Sequence, residues 1–65
     1  MPRKIRELIK DLKRAGFQNR GGKGSHRNFI HPRSRQTVLL SGQTGADARR
    51  YQEEQTQAAI EASRS

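Results

Sequence analysis

The chain has 65 residues, a formal net charge of +8 and no cysteine, and 29% of its residues are hydrophobic. The lack of cysteine excludes disulfides and thiolate zinc sites, and no apolar run approaches the roughly 20 residues of a membrane span. No signal-peptide core follows Met1, so we expect a cytoplasmic protein. We expect one domain over 1–65, with a thin core that favours a large charged ligand over a small molecule in a deep pocket.

The positive charge is concentrated in the first half of the chain. Residues 1–36 hold 11 Lys/Arg and 2 Asp/Glu, whereas residues 37–65 hold 3 Lys/Arg and 4 Asp/Glu. This asymmetry is typical of a protein that binds a phosphate backbone. A membrane surface or an acidic protein would be attracted as well, so charge alone indicates a class of partner.

The first predicted element is an amphipathic helix over about residues 3–15. Ile5, Leu8, Ile9 and Leu12 are spaced at i, i+3, i+4 and i+7, which places them on one face. Gly16 suits the position after the C-cap. We therefore expect the next residue, Phe17, to fold back on the helix in a Schellman ending.

Three strand patterns follow, over 17–20, 25–31 and 36–41. The first two are separated by a glycine cluster over 21–24, which predicts a hairpin loop or a bulged turn. The last two are separated by a turn over 31–35. In the third strand both alternating sets are apolar, so either Val38 and Leu40 face the helices, or Thr37 and Leu39 do.

A second helix is predicted over about 46–62, with Thr44 and Asp47 in capping-box spacing. Its expected buried face has helical spacing and comprises Ala48, Tyr51, Gln55, Ala58, Ala59 and Ala62. The resulting order is α-β-β-β-α. Short connections predict an α+β fold in which two helices cover one face of a three-stranded antiparallel sheet.

The most informative segment is Lys23-Gly24-Ser25-His26, which precedes the second strand. An imidazole titrates near neutrality and can therefore act as a general acid or base. Nearby cations, Lys23 and Arg27, would attract a polyanion. His31 has the opposite strand parity to His26, so we expect it on the other face, as a surface or turn residue.

This segment resembles the HicA family of small bacterial toxins. The resemblance rests on Gly24-Ser25-His26, on Phe29 three residues later, and on His31-Pro32 at the end of the strand, after a helix that ends Ala-Gly-Phe. It implies a double-stranded-RNA-binding-domain-like fold and a metal-independent endoribonuclease that cleaves mRNA and inhibits translation. After Leu40 the chain departs from the family pattern, because Ser41–Gly45 replaces a Pro-rich segment with a further histidine, and the last helix is longer, polar and slightly acidic where the family has a short basic one.

The resemblance also implies the site and its partners. His26 is the expected catalytic residue, and the proton donor is left open. The expected RNA contacts are Lys23, Gly24, Ser25, Arg27 and Arg20, with no metal and no cofactor. The expected protein partner is a HicB-like antitoxin in a hetero-oligomer, with no membrane contact, and DNA is reached only through that antitoxin.

Two other functions are compatible with the residues. One is a non-catalytic RNA-binding module of the same fold, in which His26 contacts a sugar hydroxyl. The other is a small basic ribosome-associated protein with no dedicated antitoxin. A neighbouring reading frame that encodes a small acidic protein would favour the toxin.

Overall fold

The computed structural model describes residues 3–22 and 26–64. Its elements are α1 (Ile5–Arg14), β1 (Gln18–Asn19), β2 (Arg27–Ile30), β3 (Thr37–Leu40) and α2 (Arg50–Arg64). The strands form one antiparallel sheet in the order β1-β2-β3. The predicted α+β fold with α-β-β-β-α order is confirmed, although each strand is shorter than its sequence pattern.

Helix α1 begins and ends as its sequence predicts. The Glu7 carboxylate accepts the backbone N–H of Lys4 at 2.7 Å, which satisfies a donor at the helix start. At the other end, Gly16 has a φ of 99°. Phe17 N–H donates to the Leu12 carbonyl at 2.9 Å, and Gly16 N–H donates to the carbonyl of residue 13 at 3.1 Å. These two bonds are the predicted Schellman motif.

The core lies between the helices and the inner face of the sheet. In β3, Val38 and Leu40 are buried while Thr37 and Leu39 face outward, so the structure decides the alternative that the sequence left open. The pairing of Phe29 with Val38 aligns these inward side chains across the two longer strands. The buried apolar residues are Ile5, Leu8, Leu12, Phe17, Phe29, Val38, Leu40, Ala48 and Ala59.

The predicted start of the second helix is wrong, because α2 begins at Arg50 rather than near residue 46. The segment before it instead caps α1. The Ala46 and Thr44 carbonyls accept the backbone N–H groups of Ile5 and Arg6, both at 3.0 Å. Asp47 pairs with Lys4 at 2.5 Å instead of closing a capping box. The orphan donors at the start of α1 thus hold this segment outside the helix.

The predicted buried face of the second helix is correct at Ala48 and Ala59 and wrong at its other positions. Gln52, Thr56 and Ala59 are buried, whereas Tyr51 is 51% exposed. Gln55, Ala58 and Ala62 are exposed as well. Because this helix is rich in alanine and glutamine, its adjacent faces differ little in hydrophobicity. The periodicity alone therefore did not identify the buried face. In the described part of the chain no helix is long and apolar enough to cross a membrane.

Candidate active site

His26 lies immediately before β2 and is exposed to solvent. The backbone hydrogen bonding between β1 and β2 extends beyond the end of β1 toward His26. Arg20 N–H donates to the Asn28 carbonyl at 2.7 Å, and Asn28 N–H donates to the Gly21 carbonyl at 3.0 Å. These bonds tie the connection between the strands to the start of β2 and thereby position the main chain at His26.

Gly22 is the residue against which the His26 main chain packs. A Cβ on Gly22 would overlap the His26 carbonyl group. Gly22 has a φ of 130° and Gly21 a φ of 119°, a backbone conformation that favours glycine. The predicted site residues Lys23, Gly24 and Ser25, which join Gly22 to His26, lie outside the described residues.

Arg27 is half-buried and shares its strand parity with the buried Phe29 rather than with Asn28. Its guanidinium donates to the Gly42 carbonyl at 2.9 Å. This bond ties the start of β2 to the loop that follows β3. A guanidinium carries five N–H donors and can in general contact a phosphate while it holds such a bond.

Arg20, the remaining predicted RNA contact, is exposed in the connection that follows β1. Its backbone pairs with Asn28, two residues after His26. The structure therefore brings Arg20 and His26 onto the same hairpin. The fixed backbone and the long exposed side chain suit Arg20 to a contact with a large anionic ligand at the surface.

His31 is buried, with 8% of its surface exposed, so of the two predicted alternatives it is not a surface residue but a turn residue. Its Nε2 lies 3.2 Å from the Ala15 carbonyl oxygen, and its Nδ1 accepts the N–H groups of Arg33 and Ser34, both at 3.2 Å. Its ring also meets Phe17 edge to face, with centroids 5.1 Å apart. His31 therefore joins the end of α1 to the turn between β2 and β3.

The sheet and its connections contain no acidic side chain. Between Asp11 and Asp47 the sequence holds seven Lys/Arg residues and no Asp or Glu. Two of the described ion pairs engage those two flanking carboxylates, with Arg3 and Lys4, and a third joins Arg50 to Glu54 on α2. The hairpin that carries His26 is therefore built from neutral and cationic residues, which favours a polyanionic ligand.

Sequence reasoning did not assign a role to Gly22 or to Gly42. The first was visible only as part of a glycine cluster, and its contact with His26 depends on the path of the hairpin. The second accepts a hydrogen bond from Arg27 across 15 positions of sequence. No local pattern predicts such a long-range contact.

Comparison with known protein families finds a match that covers most of the chain. The model of the family described as "HicA toxin of bacterial toxin-antitoxin" matches residues 5–58. The matched range runs from the start of α1 into α2 and includes the hairpin that carries His26. Comparison with curated proteins finds no match. Since the match spans well over half of the chain, the chain belongs to the HicA family of toxins of bacterial toxin–antitoxin systems.

Proposed function

We propose that this toxin is an endoribonuclease that cleaves mRNA at His26 and thereby inhibits translation. The observation that carries the proposal is the contrast between the two histidines of the chain. Both ring nitrogens of His31 lie within hydrogen-bond distance of backbone groups, and the ring is buried. His26 is exposed on a hairpin with cationic surroundings, so it is the imidazole that an RNA strand can reach.

The reaction assigned to His26 is the transfer of a proton at the 2′-hydroxyl of the cleaved nucleotide. As general base, the imidazole removes the 2′-hydroxyl proton while the 2′-oxygen forms a bond to phosphorus. The bond from phosphorus to the 5′-oxygen of the next nucleotide breaks, and that oxygen takes up a proton from an acid or from water. The products are a 2′,3′-cyclic phosphate and a free 5′-hydroxyl, and the reaction as written requires no metal ion.

The phosphate contacts in this proposal are Lys23, Gly24, Ser25, Arg27 and Arg20. Arginine and lysine would hold phosphate oxygens and offset the charge that develops on the phosphorus centre. Glycine would let the backbone approach the strand closely. Arg27 would act from the position in which its bond to the Gly42 carbonyl holds it.

The protein partner in this proposal is a HicB-like antitoxin that forms a hetero-oligomer with the toxin. Membership of a toxin–antitoxin family supports the existence of an antitoxin. The strong positive charge of the chain favours an acidic contact surface on that partner. We expect the antitoxin to be encoded in a neighbouring reading frame as a small acidic protein.

The test is cleavage of a defined mRNA by purified protein in excess chelator. We expect wild-type protein to cleave and His26→Ala to lose about 100-fold or more of the rate, the usual contribution of a general base. Thermal unfolding should show an unchanged fold, because His26 is exposed. Cleavage by His26→Ala at the wild-type rate would remove His26 from the reaction. RNA binding by the wild type without any cleavage would indicate a binding module instead.

A further inference from the structure

Strand β3 is an edge strand whose outer side is unpaired in the described part of the chain. The His31 N–H donates to the Gln36 carbonyl at 2.9 Å. Because hydrogen-bonded positions alternate along an antiparallel ladder, this bond and the register place the N–H and C=O groups of Thr37 and Leu39 away from β2. Neither residue makes a backbone hydrogen bond to another described element. Unpaired groups in this arrangement form a template for an added strand.

An uncharged groove follows this edge, between the outer face of the sheet and α2. Its lining comprises Asn28, Gln36, Thr37 and Leu39 on the sheet side and Gln55, Ala58, Ala59 and Ala62 on α2. No charged residue is among them, although 31% of the chain is charged. Leu39 is 62% exposed, and the alanines opposite it leave space for a polypeptide backbone. The groove therefore offers apolar contacts directly beside the unpaired backbone groups.

The positive charge of the chain favours an acidic partner over a second copy of the chain as the occupant of this edge. A second copy would bring another net charge of +8 against the first, which opposes self-association. The turn that leads into β3 presents the exposed cations Arg33 and Arg35 at one end of the groove. An extended strand with an uncharged centre and acidic flanking residues complements this surface.

We propose that an extended strand of the antitoxin adds to the free edge of β3, with its backbone bonded to Thr37 and Leu39. The identity of the partner rests on the function proposed above, whereas the docking mode rests on the geometry of β3. Neighbouring strands lie about 5 Å apart, so the added strand would lie about 10 Å from β2. His26 and Asn28 share the same strand parity, which assigns both to the outer face of the sheet. Side chains of the added strand on that face would therefore extend toward the side from which RNA reaches His26.

The test uses as the probe the purified product of the neighbouring reading frame that we expect to encode the antitoxin. The informative variant is Leu39→Pro, which removes a backbone N–H that no described element uses while leaving the β2–β3 hydrogen bonds in place. Leu39→Ala is the matched control, since it shortens the same side chain and retains the N–H. Circular dichroism and thermal unfolding check that both variants fold, and calorimetry measures their affinities for the probe.

We expect Leu39→Pro to weaken binding about tenfold relative to Leu39→Ala, the effect of losing one backbone hydrogen bond at an interface. In wild-type protein, binding should slow hydrogen exchange at the amides of Thr37 and Leu39, a measurement that does not depend on the variant folding. Equal affinities of the two folded variants, or unprotected amides in the complex, would overturn strand addition. Protection that rises with toxin concentration alone would identify a second copy as the occupant and overturn the proposal. A wild-type toxin that does not bind the probe would instead show that the assigned partner is wrong.

Discussion

The backbone of Gly22 lies against the main-chain carbonyl of His26 so closely that a Cβ at position 22 would overlap it. The neighbouring Gly21 has a similar φ, but apart from its chain neighbours no described residue has a heavy atom within 4 Å of a Cβ added there. Two adjacent glycines therefore share the same conformational requirement and differ only in their contact with His26. This difference provides a matched pair of variants.

We predict that Gly22→Ala lowers RNA cleavage substantially more than Gly21→Ala. Both changes place an alanine where the backbone favours glycine, at a cost of about 1 kcal/mol each. Only the first must also move the main chain at His26, and a shift of about 1 Å in a reacting group can reduce a rate about 100-fold. Cleavage rates at equal folded fraction are the measurement. Equal rates for the two variants would show that the position of the His26 main chain does not matter for the reaction.

We predict that His31→Ala lowers the free energy of unfolding by about 3 kcal/mol, because it leaves the Ala15 carbonyl and two turn N–H groups without partners and removes the contact with Phe17. His31→Asn should lose less, since its side-chain oxygen can still accept the turn N–H groups. Urea denaturation measures both. The control His26→Ala should change stability by less than about 0.5 kcal/mol, and a similar loss in both alanine variants would contradict a structural role specific to His31.

We predict that Gln52→Ala destabilises the protein by about 2 kcal/mol. The side chain of Gln52 accepts the Arg49 N–H at 2.8 Å and donates to the Ser41 carbonyl at 3.0 Å, so its loss leaves partly buried groups unpaired at the start of α2. Gln55→Ala makes the same chemical change on an exposed part of the same helix and should be neutral within about 0.5 kcal/mol. Thermal denaturation of the two variants should therefore separate them clearly.

We predict that Thr56→Val stabilises the protein by about 1 kcal/mol. The Thr56 hydroxyl is buried and makes no hydrogen bond among the described residues, so replacing it with a methyl group of similar size removes an unsatisfied polar group. Thr56→Ser keeps the hydroxyl and loses the methyl group, and it should destabilise by about 1 kcal/mol. A stability loss in the valine variant would mean that the hydroxyl has a partner in solution.

We predict that Arg35→Gly raises stability by about 0.5 kcal/mol, because Arg35 has a φ of 62°, a left-handed conformation that costs a residue with a side chain about 1 kcal/mol. Arg33→Gly removes the same charge from the same turn at a position without a positive φ. It should lower stability by about 0.5 kcal/mol. Denaturation midpoints that move together in the two variants would indicate an effect of charge rather than of backbone conformation.

Local sequence signals predicted the elements that depend on short-range contacts. The apolar spacing from Ile5 to Leu12 predicted α1, and Gly16 followed by Phe17 predicted its Schellman ending, because both features involve residues within a few positions of one another. The glycine cluster predicted the connection before His26.

The sequence by itself therefore determined the element order, the α+β fold and the family resemblance that points to His26. Only the tertiary structure decided that residues 44–46 cap α1, that α2 buries Gln52 and Thr56, and that His31 is buried between α1 and a turn. Each of these outcomes depends on partners more than ten positions away in sequence. Hydrogen-bond satisfaction and close packing between distant segments override a local pattern when the competing local arrangements differ little in free energy.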